Sequence, residues 1–96
     1  MILERVIFTV RPEDLGAFKI AFAEARKHVE NAKGCLGLEM RQGIETPNTF
    51  LLLTQWETVE DHTVHFRHSD NFIQWRRIIG HLFAIPPAVE HYSDVL

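Results

Sequence analysis

Hydrophobic and polar positions change their period several times along the chain, and each change marks an element. Ile2, Val6, Phe8 and Val10 fall on one face of an extended N-terminal segment, while Leu3 and Ile7 make the opposite face partly apolar. Such a strand wants cover on both sides. Pro12, Glu13 and Asp14 then supply helix-start chemistry, a proline tolerated in the first turn and acids that complement the helix dipole. The apolar positions Leu15, Phe18, Phe22, Ala25 and Val29 follow at steps of three and four, which gathers them into one seam of a helix stopped by Lys33-Gly34. From Cys35 to Arg41 alternation returns, with Leu36, Leu38 and Met40 set against Gly37, Glu39 and Arg41. Pro47-Asn48 breaks the chain, and FLLLTQWE forms a third strand with Phe50, Leu52, Thr54 and Trp56 on one side.

Thr58 and Asp61 stand three apart as a capping-box-like pair and open a short helix from about Val59 to about Phe66. Ser69 or Asp70 caps the next helix, which carries Phe72, Trp75, Ile79, Leu82 and Phe83 inward. Pro86-Pro87 ends it, and AVEHYSDV reads as a final strand. The order β-α-β-β-α-α-β predicts one α+β domain over residues 1–96, ferredoxin-like, with an antiparallel sheet. One helix layer covers one sheet face. The apolar residues on the other face, and the run Phe50-Leu51-Leu52-Leu53 above all, therefore predict a homodimer formed through the sheet.

Charge and cysteine content narrow the partners. A net charge of −3 with both signs mixed along the chain gives no clustered basic face, so no nucleic-acid partner is expected. MILERVIFTV is too short to span a bilayer and is interrupted by Glu4 and Arg5, so neither a signal peptide nor a membrane anchor is expected. The single cysteine, Cys35, cannot form an intramolecular disulfide and fits a reducing compartment, which predicts a cytoplasmic protein.

Candidate chemistry is concentrated in TQWETVEDHTVHFRHSDNFIQW. His62, His65 and His68 are spaced like metal ligands, but each step of three on an α-helix turns about 300°, so His62 and His68 diverge by about 120° and cannot share one ion. No nearby Cys or Glu completes a familiar ligand set, and no metal site is expected. His65 is the expected base: its helix follows directly from the strand bearing Trp56, and an imidazole aimed into an apolar pocket there can take a proton near neutral pH. Trp56, at a strand end, has an indole N–H that wants a partner, so it can line a cavity as well as fill a core. Phe22, Phe66, Phe72 and Trp75, at helical spacing, are core residues with pocket lining as a second role. His28, His81 and His91 need no function, and the face of His91 is not assignable from the pattern.

KGCLGLEM, then FLLLTQWETVEDHTVHFRHSDNF, then LFAIPPAVEHY, resemble the antibiotic biosynthesis monooxygenase family of small dimeric α/β-barrel proteins, with the quinol monooxygenases grouped alongside. The resemblance spans nearly the whole chain and is carried by Gly34-Cys35-Leu36-Gly37, Trp56, His65, the Ser69-to-Phe72 segment and the double proline. It implies a dimeric α/β barrel and a monooxygenase that joins dioxygen to a small phenolic or quinol-like substrate with no cofactor. In that scheme His65 is the base, and Trp56, Phe22, Phe66, Phe72 and Trp75 line the substrate pocket. A non-catalytic dimeric module binding a hydrophobic metabolite is the alternative. Haem-degrading relatives carry an asparagine on the first strand where Glu4 or Arg5 stands here, which disfavours haem chemistry.

Overall fold

The computed structural model describes residues 1–96. Its elements are β1 (Ile2–Thr9), α1 (Leu15–Glu30), β2 (Cys35–Gln42), β3 (Thr49–Trp56), a π-helical segment (Asp61–Phe66), α2 (Asp70–Ile79) and β4 (Ala88–Ser93). Short 3₁₀ turns, Pro12–Asp14 and Gly80–Leu82, begin α1 and end α2. The strands lie in the order β2-β3-β1-β4, every neighbouring pair antiparallel. This is the ferredoxin-like α+β arrangement that the alternation predicts, with all helices on one sheet face.

Strand parity decides what is buried. On β1 and just beyond it Glu4, Val6, Phe8 and Val10 face the helices, and on β3 Phe50, Leu52, Thr54 and Trp56 do the same. The α1 seam contributes Phe18, Ala25 and Val29, and α2 contributes Trp75 and Ile79. Aromatic rings lock the layers: Phe18 lies 4.5 Å from Phe50, and Phe8 stacks on Phe83 at 4.8 Å. Burial of each such ring contributes roughly 1.5–3 kcal/mol. β2 departs from its expected alternation. A bulge between Cys35 and Gly37 turns Leu36 outward, 51% exposed, while Leu38 and Met40 pack on the core.

Two corners fix where the functional end of the sheet sits. α1 stops at Glu30, short of the expected Lys33, and the chain reaches β2 through Gly34, whose φ is 80°. A Cβ on Gly34 would lie 2.1 Å from Asp61 Oδ2, so only glycine lets the π-helical segment approach this closely. The other sheet face is covered by no element of the chain. Leu3, Ile7, Leu51, Leu53 and Tyr92 occupy it with Arg5, which is paired with Glu90, and with Glu39 and Arg41, 2.9 Å apart. No helix is long and apolar enough to cross a membrane.

Candidate active site

The sheet register sets Glu4 opposite Thr54 on β3 and opposite His91 on β4, all on the helix-covered face. Glu4 is 6% exposed, an unusual place for a carboxyl group, and each of its oxygens has a partner. Trp56 Nε1 donates to Oε1 at 2.8 Å, and His62 Nε2 lies 3.3 Å from Oε2. His62 Nδ1 in turn meets His91 Nε2 at 2.8 Å. The result is one chain of groups, Trp56–Glu4–His62–His91, running from the core to the edge of the sheet. Thr54 Oγ1, fully buried beside it, has no protein partner.

The π-helical segment is what turns His62 inward. Thr58 Oγ1 accepts from the Asp61 N–H at 3.1 Å, the capping contact expected from the sequence, and Arg67 N–H reaches back five residues to the His62 carbonyl at 3.2 Å. This widened turn takes more residues per revolution than the 3.6 of an α-helix. Residues four apart therefore align best, and His62 and Phe66 are both buried. His65, three residues on from His62, lags behind that direction and is exposed, as is His68. The expectation that His65 enters an apolar pocket is thus corrected: His65 is exposed, and His62, which shares a face with Phe66, occupies that place. Ser69, not Asp70, caps α2 by accepting from the Phe72 N–H at 3.3 Å.

Aromatic rings close over the network. Trp56 stacks on His62 at 5.5 Å and lies 5.6 Å from Phe66, whose ring meets Phe72 edge-on at 5.4 Å. The guanidinium groups of Arg67 and Arg76 sit 5.9 and 5.8 Å from the Phe72 centroid, on the solvent side. Burial penalises charge on both members of the Glu4–His62 pair. It raises the Glu4 pKa, against the lowering pull of the Trp56 hydrogen bond and of Arg67. It lowers His62 to about 4, helped by Arg67 and His91. His91 is lowered for the same reason, with Arg67 adding to it. Despite the 3.3 Å separation, His62 therefore stays a neutral imidazole beside a carboxyl group, and the pair is not an ion pair. A carboxylate with a raised pKa is a stronger base than an ordinary one.

Of the residues expected to line a pocket, Trp56, Phe66 and Phe72 come together around His62. Phe22 and Trp75 belong to a different cluster, meeting each other at 6.4 Å between α1 and α2. Phe22 lines a cavity of about 230 Å³ with Phe18, Met40 and Phe50. None of the five main cavities is lined by Glu4, Trp56, His62 or His91. Beside Trp56, where a chamber was expected, lie the rings of His62 and Phe66, with Phe72 behind Phe66. No group of three or more His, Cys, Asp or Glu side chains is disposed to hold one metal ion. Sequence reasoning missed Glu4, His62 and His91. The available signal was parity: Glu4 shares the even-numbered face of β1 with Val6, Phe8 and Val10, so a charge stood at a core position.

Residues 1–78 match the family model described as antibiotic biosynthesis monooxygenase. The chain belongs to the antibiotic biosynthesis monooxygenase family. It is 35% identical over 78 residues to the uncharacterized protein YczJ of Bacillus subtilis (strain 168), covering 81% of this chain and 82% of that one. A crystal structure from Bordetella bronchiseptica, provisionally named as an antibiotic biosynthesis monooxygenase, superposes with a TM-score of 0.93 at 39% identity, covering 99% of this chain and 97% of the other. A provisionally named family member from Nitrosomonas europaea shares the fold, with a TM-score of 0.83 at 21% identity and full coverage of both chains. Within the antibiotic biosynthesis monooxygenase frame, the two residues considered for the first-strand asparagine position separate cleanly. Glu4 faces the covered side of the sheet and Arg5 the open side.

Proposed function

We propose that the protein is a monooxygenase that uses dioxygen to oxidise a small phenolic or quinol-like substrate, with Glu4 as the proton acceptor. The observation that carries this reading is a buried carboxyl group held between an indole N–H and a neutral imidazole beneath an aromatic lid. Loss of the hydroxyl proton to Glu4 makes the substrate an anion, electron-rich enough to pass electrons to dioxygen without an added reductant. A phenol and O₂ then give a quinone and water: one oxygen atom enters the ring and the other leaves as water. All four electrons come from the substrate. Trp56 fixes Glu4 Oε1, His62 fixes Oε2, and the unpartnered Thr54 hydroxyl is the donor for the developing oxyanion. The substrate ring enters by displacing Phe66, whose aromatic neighbours then exclude water.

Incubation with menadiol under ¹⁸O₂ tests this. One labelled atom in a hydroxyquinone and one in water, formed faster than by autoxidation, is the expected result. Glu4→Gln should lower the rate by about 10²–10⁴. A rate equal to autoxidation in the parent protein refutes the reading.

A second reading, a non-catalytic module for a hydrophobic metabolite, is favoured by one observation. The cavity lined by Phe18, Phe22, Met40 and Phe50 lies at the other end of the sheet, away from every group of the Glu4 network. A ligand held there, unchanged by dioxygen, is the outcome that supports it. In either reading the bare sheet face is covered by a second copy of the chain. Its apolar centre, Ile7, Leu51 and Leu53, is flanked by cations and anions that a twofold axis brings opposite one another.

A further inference from the structure

We infer that His91 connects Glu4 to solvent: protons enter and leave the buried carboxyl group through His62 and this half-buried histidine on the sheet edge. The inference rests on the reading of Glu4 as a base, which must be recharged after each turnover. β4 is an edge strand, and the register places His91 directly across from Glu4. Yet its ring bonds to His62 and not to the carboxyl group, through Nε2 at 2.8 Å. Nδ1 of His91 makes no hydrogen bond within the protein, and the residue is partly exposed, whereas His62 and Glu4 are 4% and 6% exposed. No other ionisable side chain bonds to either of them, and the one neighbouring cation, Arg67, lies toward the Phe72 side.

Two hydrogen arrangements run along the whole chain, whose Glu4–His62 link is a 3.3 Å approach that closes to a hydrogen bond for transfer, and they differ by one proton. With Glu4 as carboxylate, His62 and His91 both carry their proton on Nε2, so His91 donates to His62 and His62 to Glu4. With Glu4 protonated, both imidazoles carry the proton on Nδ1 and every donor points outward. Discharge converts the second into the first. The Glu4 O–H proton moves to His62 Nε2, the His62 Nδ1 proton moves to His91 Nε2, and the His91 Nδ1 proton moves to water. One bond to hydrogen breaks and one forms at each hop, and both imidazoles begin and end neutral. That matters because burial disfavours charged His62, so a route through a stable imidazolium is closed. His91 is accordingly a positioning and relay residue that acts through His62.

Two variants separate relay from scaffolding. His91→Phe keeps a ring over His62 but removes both nitrogens. His91→Gln keeps a donor for His62 Nδ1 but cannot pass a proton through itself. NMR exchange of the His62 ring N–H with water should slow by about tenfold or more in both, a smaller loss than the 10²–10⁴ that follows removal of a base. With menadiol, kcat should fall while KM stays within about twofold, and added imidazole should restore both the exchange rate and kcat. A purely structural role predicts recovery in His91→Gln and no response to imidazole. That result, or parent-like exchange in His91→Phe, overturns the inference. Absence of menadiol turnover in the parent protein removes the base reading alone, since the exchange measurement still decides whether the relay exists.

Discussion

Where Phe8, Phe18, Phe50 and Phe83 meet, every inward position of the sheet is apolar; four residues along the same strands, the inward positions are Glu4, Thr54 and Trp56, with His91 beside them. Both ends lie under the same helix layer and both are buried. The apolar end gains free energy from every ring it hides, whereas the polar end spends free energy to desolvate a carboxyl group and an imidazole. A small domain can carry that cost only because the two ends share one sheet. What distinguishes a site from a core here is therefore not burial but the kind of group that burial is made to hold.

The apolar end is the more sensitive of the two to substitution. Phe18→Ala should destabilise the fold by about 3–5 kcal/mol in chemical denaturation, since the ring is fully buried against Phe8 and Phe50. At the polar end Glu4→Gln should do the reverse, sparing stability while removing about 10²–10⁴ of turnover. A variant that unfolds instead would make Glu4 part of the scaffold.

The buried polar end also links folding to protons. His62 is lowered from 6.5 to about 4, so it contributes stability that is present above 6.5 and lost as pH falls toward 4, about 3 kcal/mol in all. Glu4 is raised from 4.5, so its contribution runs the other way: it is present below 4.5 and lost as pH rises through the higher folded value. Urea denaturation from about pH 7.5 to about pH 4 should show the parent losing more stability on acidification than His62→Phe does. An identical slope in the two proteins would show that the imidazole is not buried in the folded state. The smallest effect is expected at His65→Ala, which should change stability by less than about 0.5 kcal/mol and leave turnover within about twofold, since the side chain is exposed.

The fold was legible because its signals are periodic and redundant. Alternation in β1 and β3, the three-four seam of α1 and the turn residues each point to the same ferredoxin-like order, and one bulge at Cys35–Gly37 displaces only Leu36. The site was less legible because it depends on phase. Over Asp61–Phe66 the segment buries His62 with Phe66 and leaves His65 outside, and which of the two histidines faces inward depends on how this short turn is set against β3, which the residues alone do not reveal. Glu4 sat on core parity but read as an interruption of an apolar strand. His91 lies in a strand of six residues whose pattern assigns no face, and only the pairing Glu4↔His91 does so.

The corner between Gly34 and Asp61 adds an asymmetry for anyone rebuilding this protein. Residue 61 has room to shrink, while residue 34 has none to grow, because its backbone angle and the neighbouring carboxylate both reject a side chain. Library diversity belongs on one side of that contact only.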